Sequence, residues 1–261
     1  SIPNAMRNEI KRVLIIKTSS MGDLVHMLPA LTDAGNVFPD IKFDWLVEES
    51  YTEIPKWHPL VARVIPVALR RWRKALWSRK TWQAMRALRH ELAQQKYDAI
   101  IDAQGLVKSA FLTYFAKGKR IGLDYASARE SWASFAYQKK CRVNFQQHAI
   151  VRMRQLMSAA LNYPLPDTEP DFAVDRRQFP ALSTSQKYLV FLHGTTWTSK
   201  QWPEEYWMAL AKLAGQAGYR IKMSGGNATE VARAERIAQQ CAQVDVMPYL
   251  TINAMTHLLA H

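Results

Sequence analysis

Two α/β domains, each a parallel sheet covered by helices, are predicted from three features of the chain. Short apolar, β-branched runs alternate with longer stretches of helical period: Arg12–Lys17, Phe43–Val47 and Ala99–Asp102, then Tyr188–His193, Arg220–Met223 and Val244–Met247. The length of 261 residues exceeds the span of one ordinary domain. Between the two sets of runs, Pro164, Pro166, Pro170 and Pro180 sit among Asp, Ser and Thr, a composition that resists helix and ladder alike. These features place an N-terminal Rossmann-like domain at 6–162, a linker at 163–186 and a C-terminal Rossmann-like domain at 187–261. The second is short for a doubly wound fold and runs out inside a helical pattern, so it is expected to be incomplete. Residues 1–5, ahead of Met6, are expected to lie outside the fold.

Composition narrows the function classes. A chain that is 48% hydrophobic and 11% aromatic can bury a core and is no disordered segment. Lys and Arg outnumber Asp and Glu by 35 to 22, and the net charge of +13 favours anionic partners such as phosphates, acidic sugars, nucleic acid or anionic lipid. Cys141 and Cys241 are far apart in sequence, which indicates neither a disulfide scaffold nor a thiolate zinc site and fits a reducing compartment. No apolar run is long enough to span a bilayer, so a soluble or peripheral protein is expected. There is no His-Glu-x-x-His cluster, no Asp-x-Asp pair and no Gly-x-Ser-x-Gly elbow, which argues against metal chemistry and against a serine hydrolase.

The first strand opens into Lys17-Thr18-Ser19-Ser20-Met21-Gly22-Asp23, and Leu24, Leu28 and Leu31 follow at helical spacing. Backbone N–H groups at such a helix start can hold an anion or a reacting oxygen. Asp23 falls in the first helical turn, where it would serve equally to complement the helix dipole, with Ser19 or Ser20 as N-cap. A single glycine and no Gly-Lys-Ser/Thr exclude a Walker loop and a dinucleotide fingerprint here. Downstream, no acidic residue occurs from Ile54 to His90, while basic residues recur from Lys56 to Arg89 and are densest in Arg70-Arg71-Trp72-Arg73-Lys74. Guanidinium forks in such a run suit carboxylate or phosphate. The bland reading is a solvated basic face with Trp72, Trp77 and Trp82 packed inward.

Asp102-Ala103-Gln104-Gly105 ends the next strand, at the edge where open α/β sheets bind ligands, although a plain turn capped by Asp102 would look the same. Tyr125 and Arg129 could face one another at i, i+4. In the second domain, Gly194, Thr195, Thr196 and Lys200 precede Pro203 and Glu204, a helix start. The hydroxyls and the ammonium suit a diphosphate, and an ordinary Ser/Thr-rich loop stays open beside that reading. Ser224-Gly225-Gly226-Asn227 forms another strand-end loop, and Glu230 just beyond it could accept from a ribose hydroxyl.

Lys17 to Asp23, Arg70 to Lys74, Asp102 to Ser109, and His193-Gly194-Thr195-Thr196 with Lys200 and Trp202-Pro203-Glu204 occur together in one order. In that order the chain from Met6 onward resembles the lipopolysaccharide heptosyltransferase I family, inverting glycosyltransferases of GT-B architecture. The resemblance implies two Rossmann-like domains facing a cleft and metal-independent transfer of L-glycero-D-manno-heptose from ADP-heptose, a substrate, to the first Kdo of the inner core. No cofactor is implied. It further implies a Kdo-lipid A acceptor and a cytoplasmic enzyme, peripheral at the anionic inner-membrane surface of a Gram-negative bacterium. By resemblance Asp23 is the general base. Lys17, Ser20, Arg70, Arg73, Lys74, Gln104 and Arg129 fall at acceptor positions, Thr195, Thr196 and Lys200 at the donor diphosphate, and Glu230 near the nucleoside.

Two departures stand out. The family carries Trp where this chain has Gly225, and its Asp-Thr-Gly-Leu-x-His motif does not occur, so only part of the donor half is expected. A non-enzymatic polyanion binder using the basic, Trp-rich run is the second class of function. No nucleic-acid-binding module is present, so no nucleic acid partner is expected.

Overall fold

The computed structural model describes residues 10–173 and, beyond them, 188–192, 204, 207, 208, 211, 212, 220–224, 228–242 and 244–246. The chain divides into two compact units, Ser1–Ala173 and Val174–His261.

The first unit runs β1 (Arg12–Ile16), α1 (Met21–Val37), β2 (Lys42–Glu48), α2 (Glu53–Lys56), β3 (Val61–Val67), α3 (Leu69–Lys74) and α4 (Arg79–Ala93). It continues through β4 (Ala99–Asp102), α5 (Val107–Leu112), β5 (Arg120–Leu123), a 3-10 segment (Ser131–Ala136), β6 (Lys139–Cys141) and α6 (Ala149–Leu161). Six parallel strands lie in the order β3-β2-β1-β4-β5-β6. The apolar runs of β1, β2 and β4 form where their composition places them. Three strands escape that reading. In β3, Pro66 and Arg63 break the apolar run, and both are tolerated because β3 is an edge strand. β5 and β6 are too short and too basic to register as runs.

Side chains alternate across the sheet. Leu14 and Ile16 join Leu46, Ile65, Trp72, Leu88 and Ile100 in a buried cluster. On the other face α1 packs along α6, and α6 reaches β4, β5 and β6. At the amino end of the strands, buried Asp44 accepts from the Tyr97 hydroxyl at 2.6 Å and pairs with Arg12 at 2.5 Å and Arg63 at 3.3 Å. Nearby, His58 accepts the Leu60 N–H at Nδ1 (3.1 Å) and therefore donates from Nε2 to the Thr32 hydroxyl (2.8 Å), which makes it neutral. Burial lowers its pKa to about 4.

α6 ends at Asn162 in the left-handed conformation (φ 57°). The proline-rich stretch that follows is fastened to this unit at its start: Arg154 pairs with Asp33 at 2.7 Å and donates to the Thr168 carbonyl at 2.8 Å, and Phe172 is buried. The rest of the expected linker, 174–186, lies outside the described residues.

The second unit holds β7 (Tyr188–Leu192), β8 (Arg220–Ser224), α7 (Ala228–Gln240) and β9 (Val244–Val246), with the strands parallel in the order β7-β8-β9. Ile221, Met223, Ala234, Ile237 and Val244 are buried together with Trp207 and Ala211. Arg236 of α7 donates to Glu204 at 2.9 Å, and Arg220 pairs with Asp245 at 2.6 Å. Both cysteines are free and buried. Among the described residues no helix is long and apolar enough to cross a membrane, and no group of His, Cys, Asp and Glu could hold a metal ion.

Candidate active site

The strand order reverses between β1 and β4, and at such a point the chains leaving the two strands diverge and open a crevice at the carboxyl edge. The Lys17 N–H donates to the Leu46 carbonyl at 3.3 Å, the Trp45 indole to the Lys17 carbonyl at 2.9 Å, and the Glu48 N–H to the Thr18 carbonyl at 3.1 Å. These bonds fix the turn against β2. On its other side the Lys17 ammonium, itself buried, donates to the Ala103 carbonyl at 3.1 Å, and the Thr18 N–H donates to Gln104 Oε1 at 3.2 Å. Lys17 and Gln104, predicted separately, thus tie the ends of β1 and β4 together.

Ser20 caps α1. Its N–H and hydroxyl both donate to Asp23 Oδ2, at 3.2 and 3.1 Å, and its carbonyl accepts from the Leu24 N–H. This is a capping box with Asp at the third helical position. The helix-cap reading and the reactive-carboxylate reading therefore hold at once: the cap orients the carboxylate through Oδ2. Oδ1 lies 3.6 Å from Nδ1 of buried His26. Burial drives His26 down to about 4, against the pull of Asp23, so the imidazole is neutral at neutral pH. The Asp23 side chain keeps a solvent-exposed edge of 15%, which leaves it open to an incoming hydroxyl.

Reading the sequence missed two neighbours. Arg152 of α6 lies over the Phe145 ring at 4.9 Å, and its guanidinium, lowered by burial, is attracted by Asp23. His26 was legible only as the residue one helical turn beyond Asp23. Arg152 gave no local signal, since the packing of α6 on α1 is what brings it there.

Asp102 turns out to be the plain turn cap. Fully buried, its carboxylate accepts from the N–H groups of Gln104 (2.9 Å) and Gly105 (3.3 Å), the Ser109 hydroxyl (2.9 Å) and the Tyr137 hydroxyl. Burial raises its pKa, and the four donors oppose that shift. The Tyr137 ring reaches Asp102 by lying on Gly122, where a Cβ would collide with it. Gly105 is left-handed (φ +68°) and its carbonyl accepts from the Glu130 N–H at 3.0 Å, which brings the 124–130 turn and exposed Arg129 against the Gln104 loop. Because that segment is a turn, Tyr125 and Arg129 are not a helical pair. Tyr125 instead meets the edge of Phe135.

The basic run divides. Trp72 is buried and turns α3 so that Arg70, Arg71, Arg73 and Lys74 are exposed, whereas Trp77 and Trp82, which the solvated-face reading would pack inward, are themselves exposed. Acids absent from the run itself arrive from neighbouring elements: Glu49 pairs with Arg71 at 3.3 Å and Glu91 with Arg63 at 3.7 Å, while Glu48 accepts only the backbone N–H of Arg70, at 3.4 Å. Among the described residues no carboxylate pairs with Arg73 or Lys74. Thr195, Thr196 and Lys200 lie outside the described residues. Glu230 stands in the first turn of α7, and its side chain lies outside them.

The profile of glycosyltransferase family 9 (heptosyltransferase) matches residues 85–261. The chain is 49% identical to lipopolysaccharide heptosyltransferase 1 of Pseudomonas aeruginosa over 95% of its own length and 70% of that protein's. It is 48% identical to lipopolysaccharide heptosyltransferase 1 of Escherichia coli, over 95% of this chain and 79% of that one. The solved structure of the E. coli heptosyltransferase WaaC with ADP-2-deoxy-2-fluoro heptose superposes with a TM-score of 0.65 at 48% identity, covering 95% of this chain and 80% of that chain.

Proposed function

The chain belongs to glycosyltransferase family 9, the heptosyltransferases, and from that premise we propose that it transfers L-glycero-D-manno-heptose from ADP-heptose to the first Kdo of the lipopolysaccharide inner core. Asp23 takes the proton of the acceptor hydroxyl while that oxygen attacks the anomeric carbon. The bond from the anomeric carbon to the ADP oxygen breaks on the opposite side, ADP leaves with the electron pair, and the configuration inverts. The observation that carries this reading is the Asp23 carboxylate, oriented by Ser20 and partly open, at the reversal point of the sheet.

We assign the acceptor to residues 6–162 and the donor to 187–261, with 163–186 between them, although Thr168 and Phe172 of that stretch pack on the first unit. Lys17, Ser20, Gln104 and Arg129 surround the acceptor sugar, and Arg70, Arg73 and Lys74 meet Kdo carboxylates and lipid A phosphates. Thr195, Thr196 and Lys200 hold the donor diphosphate as hydroxyl donors and a point charge, and Glu230 the nucleoside. No metal ion takes part, since Lys200 supplies the positive charge. The lipid-anchored acceptor places the enzyme at the cytoplasmic face of the inner membrane.

The test is ADP release from ADP-heptose on a Kdo-bearing acceptor by the parent chain and by Asp23→Asn, which keeps the Ser20 contacts at the oxygen. The parent should turn over and the variant should not. Near-parental turnover by Asp23→Asn would remove Asp23 from the chemistry.

A further inference from the structure

α5 and the 3-10 segment Ser131–Ala136 abut through Ala110 and Ala133, which form a buried cluster with Tyr137 just after the segment, Ala136 packed on it. Leu112 of α5 turns into the core, while four other large apolar residues of the two elements are turned to solvent. Val107 and Phe111 are one helical turn apart on α5, and Trp132 and Phe135 one turn apart on the 3-10 segment. Trp132 is 72% exposed and lies against Phe135 with ring centroids 5.5 Å apart. Single exposed aromatics are ordinary, but four large apolar side chains on two abutting elements form a patch that a soluble surface does not carry without use.

The charges around the patch are mostly positive, with exposed Arg129, Lys108 and Lys140 beside one exposed acid, Glu130, at the start of the 3-10 segment. Lys108 is exposed between Val107 and Phe111, and the Lys140 ammonium lies 5.6 Å from the Phe135 centroid. A second copy of the same basic face would be repelled, whereas a negatively charged surface is attracted. The location adds a reason. α5 starts directly after the Gln104 loop, and Gly105 is bonded to the 124–130 turn, so the patch borders the carboxyl edge that holds Asp23.

We propose that this surface seats the protein on an anionic bilayer, with the four apolar side chains in the headgroup region and Lys108 and Lys140 on lipid phosphates. Aromatic rings with cations at their margin favour that depth. Resting on the assignment of a lipid-anchored acceptor, the proposal gives the active edge its orientation: the acceptor sugar emerges from the bilayer beside the patch and reaches Asp23 without leaving the membrane.

The experiment is flotation of the full chain with vesicles of phosphatidylethanolamine and phosphatidylglycerol, with phosphatidylcholine vesicles as reference. The parent should prefer the anionic vesicles and release them as salt rises. The double variant Phe111→Ser/Trp132→Ser should need about tenfold more lipid for half-binding, and Lys140→Gln a few-fold more. Both should melt with the parent and match its kcat/KM on a deacylated, soluble acceptor. Vesicle binding by the double variant equal to the parent's would overturn the proposal, as would a parent that binds no vesicles or does not distinguish them. A clear fall in Tm of the double variant would also overturn it, by making the patch internal packing. Absence of transfer by the parent on the soluble acceptor would instead count against the proposed function, because vesicle binding does not require it.

Discussion

The two ends of one parallel sheet treat their buried and half-buried carboxylates differently. At the amino end Asp44 is enclosed by two guanidinium groups and a phenol, and each charge there is compensated within the fold. At the carboxyl end Asp102 is held by N–H and hydroxyl donors, Asp23 is oriented by Ser20 with His26 and Arg152 close by, and Arg73 and Lys74 stand exposed without a carboxylate among the described residues. A closed network holds strands together and has nothing left to offer a ligand. An edge that leaves Arg73 and Lys74 exposed has cations to offer a ligand. Stability should therefore be lost by mutation at one end and activity at the other.

The sharpest form of that contrast is Asp23→Ala, which should lower turnover by about 10²–10⁴-fold, the usual worth of a general base, with the unfolding midpoint shifted only by the loss of a helix cap. Next comes its mirror image, Asp44→Ala. Removing the buried partner leaves Arg12 without its carboxylate and Arg63 with Glu91 alone, so stability should fall by about 3 kcal/mol in urea titration while KM for both substrates stays put. A turnover loss without a stability loss at Asp44 would erase the distinction between the ends.

Each end also buries a neutral histidine, and these make the contrast testable by pH. Both His26 and His58 fall from 6.5 to about 4 on folding, so between those values the unfolded chain binds more protons. Stability should rise with pH across that window and be lost as pH drops from 6.5 to 4, by about 3 kcal/mol for each fully buried ring. His58→Asn retains an acceptor for the Leu60 N–H through a local turn and removes one titration. Urea denaturation at several pH values should then show a shallower acid slope in the variant. An unchanged slope would mean that His58 already carries its proton in the fold.

Much of the arrangement is legible in sequence because its causes are local. The Ser20-x-x-Asp23 spacing is a capping box in four residues, and the apolar runs of β1, β2 and β4 are buried on both faces. What escapes has causes at long range. At Asp102 the turn-cap and ligand-edge readings stay equal in sequence, and the Tyr137 hydroxyl that completes the cap, far along the chain and lying on Gly122, gives no local sign. The basic run reads as uncompensated because Glu49 and Glu91, which pair with Arg71 and Arg63, lie outside it in sequence. The Trp residues of that run also mislead. Charge periodicity cannot say that Trp72 alone turns inward while Trp77 stays 99% exposed.

That division of the run supplies the smallest and most local test. Trp72 anchors α3 and fixes Arg73 and Lys74 toward solvent near the end of β2, whereas Arg86 is exposed on α4, a separate helix. A guanidinium that meets a carboxylate or phosphate in a bound acceptor loses roughly 1.5–3 kcal/mol on truncation, equivalent to about ten- to hundredfold in affinity, while an exposed charge facing water contributes little. Arg73→Ala should therefore raise the acceptor KM by about that factor and leave the ADP-heptose KM unchanged, with Arg86→Ala close to the parent in both. The acceptor dependence should also flatten with salt in Arg73→Ala, since one charge contact has been removed. Steady-state kinetics at two ionic strengths separate the possibilities. Equal damage from the two substitutions would make the run a diffuse field with no defined contact, and an effect of Arg73→Ala on ADP-heptose would move α3 from the acceptor to the donor. Either result would break the picture of a carboxyl edge whose unpaired cations are kept for one anionic substrate.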